Sequence, residues 1–181
     1  MNQNTTKKAS LIILLALVFN LSCNSEIEYE NFNSKPVSHE IWDNLLKKHV
    51  SVDGNVNYKG FLNNRAELKK YLDLLSSSHP DNSWPKEEQM AYWINAYNAF
   101  TIELILRNYP VKSIKDIGII SPWHIGFIEI QGEKYNLSDI EHDILRKKFN
   151  DSRIHFAIVC ASYSCPKLRN EAYTASKLYS Q

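Results

Sequence analysis

Ile41, Trp42, Leu45 and Leu46 recur at the spacing of one helical face, and Ser38 ahead of them can cap a helix. Asp53-Gly54-Asn55 then interrupts with turn chemistry between alternating Val52, Val56 and Tyr58, which predicts a short hairpin or extended loop. A second helix is predicted from Asn63 or Asn64, with Leu68, Tyr71, Leu72 and Leu75 on its apolar face and Ser76-Ser77-Ser78-His79-Pro80 ending it. The third is the longest: Ser83 caps it, Pro85 lies in its first turn, Glu87 and Glu88 sit near its positive end, and Pro110 stops it. At about 100° per residue, Met90, Trp93, Ile94, Tyr97, Phe100, Thr101, Leu104 and Ile105 cover one broad face of this helix. An adjoining stripe carries Glu88, Ala91, Asn95, Asn98, Ile102 and Leu106, so two amides lie among apolar neighbours, away from Glu103 and Arg107. The helix is therefore expected to be central and covered on most of its circumference.

Beyond Pro110, Ser121-Pro122-Trp123-His124 reads as a loop, and the stretches 127–130 and 134–137 flank Gln131-Gly132-Glu133 as a β-hairpin. Ser138-Asp139-Ile140-Glu141 matches a capping box and opens a helix with Ile140, Ile144 and Leu145 inside and Arg146, Lys147 and Lys148 at its negative end. Ile154 to Val159 is a nearly continuous apolar run of strand length and predicts an interior strand. The fold class is thus α+β: a long buried central helix with flanking helices, packed on a small sheet that includes the hairpin and the interior strand.

The N-terminus is a different kind of segment. Lys7 and Lys8 precede the apolar run Leu11 to Phe19, which is about half of the ~20 residues a membrane-spanning helix needs, so residues 1–22 read as a signal peptide. Asn20-Leu21-Ser22-Cys23 resembles a bacterial lipobox, which makes Cys23 the expected lipid-modified N-terminus, 23–37 a polar tether and 38–181 one domain. The localisation expected is a lipid-anchored protein of the cell envelope, facing the periplasm or the outside. Of 21 basic and 20 acidic residues, the leader removes Lys7 and Lys8, leaving a mature chain at net −1. A nearly neutral exported domain without a basic stripe argues against nucleic acid as a partner. The 44% hydrophobic and 23% charged composition is that of a globular chain, and no low-complexity tract interrupts it.

Candidate chemistry is sparse. His124, His142 and His155 with two cysteines show neither a Cys-x-x-Cys pair nor a His-x-x-x-His spacing, and a Gly-rich phosphate loop is absent, so neither metal nor cofactor is expected. Asn95, two turns after Glu88 on the same stripe, either satisfies backbone groups or orients a catalytic side chain. Glu141 is at the position where a capping-box carboxylate returns to the backbone. His142, near a helix N-terminus, is placed to stay neutral and act as a base. In strand phase His155 shares a face with Ala157 and Val159, while Cys160 points oppositely into the core. Cys165 follows a loop and precedes Pro166 where a helical turn can begin, a place that lowers a thiol pKa and makes Cys165 the candidate nucleophile. A Cys160–Cys165 bridge requires Cα atoms within ~7 Å, which the sequence permits.

Four stretches carry a family resemblance: 61–77 (FLNNRAELKKYLDLLSS), 87–114 (EEQMAYWINAYNAFTIELILRNYPVKSI), 137–146 (LSDIEHDILR) and 153–168 (RIHFAIVCASYSCPKL). In that order they resemble the family called domain of unknown function 547, found in bacterial exported proteins and in plant proteins. Similar domains have a further C-terminal part, so the resemblance implies a chain truncated at Gln181, where 173–178 reads as the start of another helix. A more distant fold-level analogy is to papain and transglutaminase-like domains, whose nucleophilic cysteine begins the long helix; the corresponding region here has Asn95. Two functions are open: a binding module with an unidentified protein or peptide partner, and a cysteine-dependent hydrolase or acyltransferase. In the latter Cys165 is nucleophile, His142 or His155 base, and Glu88, Asn95 or Glu141 the orienting group. The binding module is preferred, because nothing in the sequence shows a nucleophile and base converging.

Overall fold

The computed structural model describes residues 35–119, 121–162 and 165–181; the expected signal peptide, Cys23 and most of the tether lie outside them. The elements are α1 (Glu40–His49), α2 (Tyr58–Asn63), α3 (Arg65–Ser76), α4 (Lys86–Arg107), β1 (Ile128–Ile130), β2 (Glu133–Tyr135), a π-helix (Asp139–Phe149) and α5 (Ile154–Ala157). Short 3-10 turns at Ile114–Asp116 and Pro122–His124 connect α4 to β1.

Helix α4 is the axis of the fold, with every residue from Gln89 to Leu106 buried. Helices α2 and α3 and the π-helix pack around it. A helix so enclosed must satisfy its polar side chains internally. Thr101 donates to the Tyr97 carbonyl at 2.8 Å, and the Glu103 carboxylate accepts from Arg65 at 2.9 Å and Arg107 at 2.8 Å. Glu103 thus belongs to the buried surface of α4, with both guanidiniums closing over it. Aromatic contacts fasten the surrounding layers: Trp42 of α1 stacks on Tyr71 of α3 at 5.8 Å, and Trp93 of α4 meets Tyr135 of β2 edge-on, also at 5.8 Å.

The α+β class holds, with a sheet reduced to one antiparallel hairpin in which Ile128 faces Tyr135 and Ile130 faces Glu133. Its turn residues Gln131 and Gly132 both take positive φ, 49° and 81°, as a tight turn matched to strand twist requires. The Gln131 N–H donates to the Ser76 carbonyl at 2.8 Å and seats the hairpin tip on the end of α3.

The expected interior strand is corrected. Ile154–Ala157 forms one helical turn, α5, and the chain becomes extended only at Ile158. Asp151 opens the turn by accepting from the Arg153 N–H at 3.0 Å, and Ile154, Ala157 and Ile158 are buried while His155 and Phe156 face outward. That is helical spacing within a run of strand length. Tyr58, expected in an extended segment, starts α2, capped by Asn57 through the Gly60 N–H at 2.9 Å; the extended pairing shrinks to one bridge between Val50 and Val56.

The capping box also shifts by two residues. Asn136 and Asp139 exchange backbone and side-chain bonds, each at 2.9 Å, whereas Ser138 makes no side-chain cap and Glu141 turns outward to Arg146. Ser83 likewise bonds Asp81 instead of capping α4, and Pro85 occupies the cap position. Residues 175–180 form turns in place of a further helix.

Candidate functional site

The two amides on the α4 stripe act as backbone clamps. Asn95, fully buried, donates to the Tyr173 carbonyl at 2.8 Å and accepts from the Tyr173 N–H at 3.0 Å. Asn98, one turn later, donates to the Ala157 carbonyl at 2.9 Å and accepts from the Val159 N–H at 2.9 Å. Each side chain replaces a missing strand neighbour for an extended segment that pairs with no sheet, which removes the penalty of burying those backbone groups alone. Both polar atoms of the Asn95 side chain thus bond Tyr173, and through Asn98 the segment ahead of Cys160 is fixed directly to the central helix.

Beside that segment lies a cleft of about 230 Å³ lined by Tyr97, Trp123, His124, Glu141, His142 and Cys160, with two serines. Glu141 reaches it because its helix is wound wide. A five-residue separation stacks Glu141 above Arg146 in a π-helix, and the guanidinium donates to the carboxylate at 2.7 and 3.1 Å. The other carboxylate oxygen accepts weakly from the Tyr97 hydroxyl at 3.4 Å. Burial and the nearby Glu141 charge push the Tyr97 phenol well above its ordinary value. Two exposed imidazoles, a phenol and a carboxylate thus share one cleft.

Cys160 and Cys165 are joined by a disulfide, with Cα atoms 6.0 Å apart. No helix begins at Cys165, whose N–H donates to the Ser162 carbonyl at 2.9 Å. The structure thus brings Cys160, His142 and Glu141 to one cleft and leaves Cys165, His155 and Glu88 out of its lining. His155 is exposed on α5 against Phe156, 5.3 Å between ring centroids. Glu88 lies half-buried near the start of α4, bonded to neither imidazole. His124, Trp123 and Tyr97 join His142 and Glu141 in the cleft; the sequence offers the loop Ser121-Pro122-Trp123-His124 and the apolar face of α4 that carries Tyr97, but nothing that brings the two together. Among the described residues, no three His, Cys, Asp or Glu side chains are grouped to hold a metal ion, and no helix is long and apolar enough to cross a membrane.

A second cavity, an apolar groove of about 320 Å³, runs between α4 and the last described segment, lined by Met90, Ile94, Phe156, Tyr173, Leu178 and Tyr179 among others. Phe156 is 70% exposed and Tyr179 54% exposed. Tyr179 is held in place: its hydroxyl donates to Glu87 at 2.9 Å and Arg153 lies over its ring at 4.8 Å. Arg153 in turn binds Asp151 through two nitrogens, at 3.0 and 2.6 Å, and holds that carboxyl down at about 2.

No curated protein and no solved structure matches the chain. A family model does, over residues 82–181, which takes in α4, the hairpin, the π-helix, both clamped segments and the disulfide and leaves the stretch 61–77 outside. With more than half of its length matched, and with the cleft and groove drawn wholly from the matched part, the chain belongs to the family described as Protein of unknown function, DUF547.

Proposed function

We propose that this is a non-catalytic binding module of the bacterial cell envelope, held at the membrane by a lipid on Cys23, whose apolar groove takes a protein or peptide partner. The observation that carries this reading is the pair of exposed aromatics, Phe156 and Tyr179, in a groove lined mostly by apolar side chains with Asp151 and Arg153 beside them. Aromatic rings with one buried and one wet face are the usual anchors of recognition surfaces. Tyr179 is already fixed by Glu87 and Arg153, so little side-chain freedom is lost when a partner docks.

A cysteine-dependent hydrolase or acyltransferase with Cys165 as nucleophile has weaker support, since that sulfur is bonded to Cys160 and the polar atoms of Asn95 bond Tyr173. Selection of peptides from a random library on the immobilised chain tests the binding reading. Enriched peptides should bind the native protein and lose at least about tenfold in affinity against Phe156→Ala, the scale of an aromatic anchor. Failure to enrich any sequence, or binding indifferent to Phe156→Ala and Tyr179→Ala, would sink it. The anchor has its own test: Cys23→Ser should move the chain from the membrane fraction to the soluble one.

A further inference from the structure

The binding reading leaves the Cys160 cleft unused. We propose that the Cys160–Cys165 disulfide is a thiol–disulfide exchange site entered from that cleft, with Cys160 the sulfur that receives the incoming thiol.

Three observations converge on Cys160. First, the two cysteines are not equivalent: Cys160 lines the cleft and Cys165 does not. Second, Cys160 is mounted rigidly, because Asn98 bonds the backbone on both sides of Ile158, whereas Cys165 itself belongs to no helix or strand. Opening the bond therefore leaves Cys160 in place and lets Cys165 move. Third, His124 and His142 line the same cleft, where they can accept the proton of a thiol that must attack as thiolate. A long-range staple would favour a different design. A separation of five residues constrains the unfolded chain less than a long loop does, so stabilisation alone is a weak reason for this bridge. Ala161, directly after Cys160, is held in the left-handed region at φ 52°, a conformation an opened loop can leave.

In the first step the incoming thiolate sulfur bonds to Cys160 Sγ, the Cys160–Cys165 bond breaks, and its electron pair leaves on Cys165 Sγ, which takes up the proton given up by the incoming thiol. A second donor thiol then attacks the donor sulfur of the mixed disulfide and releases Cys160 as a thiol. Two donor thiols are oxidised to one disulfide while the protein's disulfide is reduced to two thiols. The ligand chemistry is a thiol, from a small molecule or from a polypeptide dithiol.

The test uses the native full-length chain. Glutathione at neutral pH, quenched early with iodoacetamide, is followed by fragment-ion mapping of the 154–167 peptide, so that Cys23 does not enter the reading. The expected product carries glutathione on Cys160 and carbamidomethyl on Cys165, in at least ~10-fold excess over the reverse pattern. The exposed double variant His124→Gln/His142→Gln should fold normally by circular dichroism and slow trapping several-fold. A Cys-Gly-Pro-Cys peptide at equal thiolate concentration separates the sources: faster reaction than glutathione assigns a polypeptide donor, slower a small thiol, and either supports the site. Glutathione equally on both cysteines or mainly on Cys165, trapping unaffected by the histidine substitutions, or reaction only after denaturation overturns the proposal.

Discussion

Asn95 and Tyr173 exchange two hydrogen bonds, amide to carbonyl at 2.8 Å and N–H to amide oxygen at 3.0 Å, across 78 residues of sequence. The pairing is that of two strands, with a helix side chain standing in for one of them. Asn95→Ala leaves a buried backbone donor and acceptor without partners, each worth roughly 1 to 3 kcal/mol, so a loss of about 3 kcal/mol is expected. Denaturant unfolding should show a lower midpoint with an unchanged slope. Asn95→Asp keeps the acceptor but sets a carboxylate against the Tyr173 carbonyl, and should be no better tolerated. A catalytic role for Asn95 would instead leave stability near that of the parent.

His39 is buried at the start of α1, its Nδ1 2.7 Å from the Tyr71 hydroxyl. Burial lowers its pKa from 6.5 to about 4. Burial also pushes the Tyr71 phenol up, so the hydroxyl remains protonated and can donate to a neutral ring. Between the two values the unfolded chain binds more protons than the folded one. The stabilisation is therefore complete above pH 6.5, falls as pH drops, and is gone below about pH 4, a total near 3 kcal/mol at about 1.4 kcal/mol per unit. Half-buried His79, lowered by burial and then by Lys148, adds a change of the same sign. His39→Leu should flatten the slope of stability against pH between 6.5 and 4; an unaltered slope would assign the titration elsewhere.

Asn95 and Tyr173 also mark what the sequence made legible. The long helix and its buried amides were readable because eighteen consecutive covered residues leave a polar side chain no solvent, and a buried amide has to bond something. Which backbone it bonds was not readable, since Asn95 and Tyr173 meet only through the tertiary fold. The run 154–159 was misread because six apolar-rich residues suit a strand or a helical turn equally. The deciding facts were the Asp151 cap and the outward Phe156, and only the latter is invisible in sequence. Residues 136–141 contain two overlapping capping patterns, and the Asn136–Asp139 register wins. The cleft was missed because the π winding that turns Glu141 toward Arg146 and Tyr97 leaves no signature in hydrophobic periodicity.

Gly60 in α2 lies against the His49 ring. A Cβ at this position would overlap His49 Nδ1 and come within 2.8 Å of Asn57 Nδ2. The ring has little room to retreat, because its Nε2 bonds Asn64 Oδ1 at 2.9 Å and its face packs on Phe61 at 5.0 Å. Gly60→Ala should destabilise by about 1 to 3 kcal/mol, although alanine is the better helix former. Adding His49→Ala should recover part of that loss, giving a non-additive cycle; strict additivity would mean that the ring is not the obstacle.

Ala161, immediately after Cys160, is a point of backbone tension, one of three described non-glycine residues in the left-handed region and the one alanine among them, at φ 52°. In the left-handed region its Cβ crowds the following carbonyl oxygen at a cost of roughly 1 to 2 kcal/mol. Ala161→Gly relieves that crowding but widens the unfolded ensemble, worth about 0.4 to 1 kcal/mol in the opposite direction, so a net gain near 0.5 kcal/mol is expected. Ala161→Val adds a branched Cβ at the same φ and should lose about 1 to 2 kcal/mol. Thermal unfolding of both variants under oxidising conditions checks the order glycine, alanine, valine. If tension at this residue helps to open the disulfide loop, Ala161→Gly should also slow the trapping of glutathione on Cys160, because the closed loop then has less to gain by opening. A glycine variant that is more stable yet exchanges as fast as the parent would separate the backbone tension from the exchange chemistry.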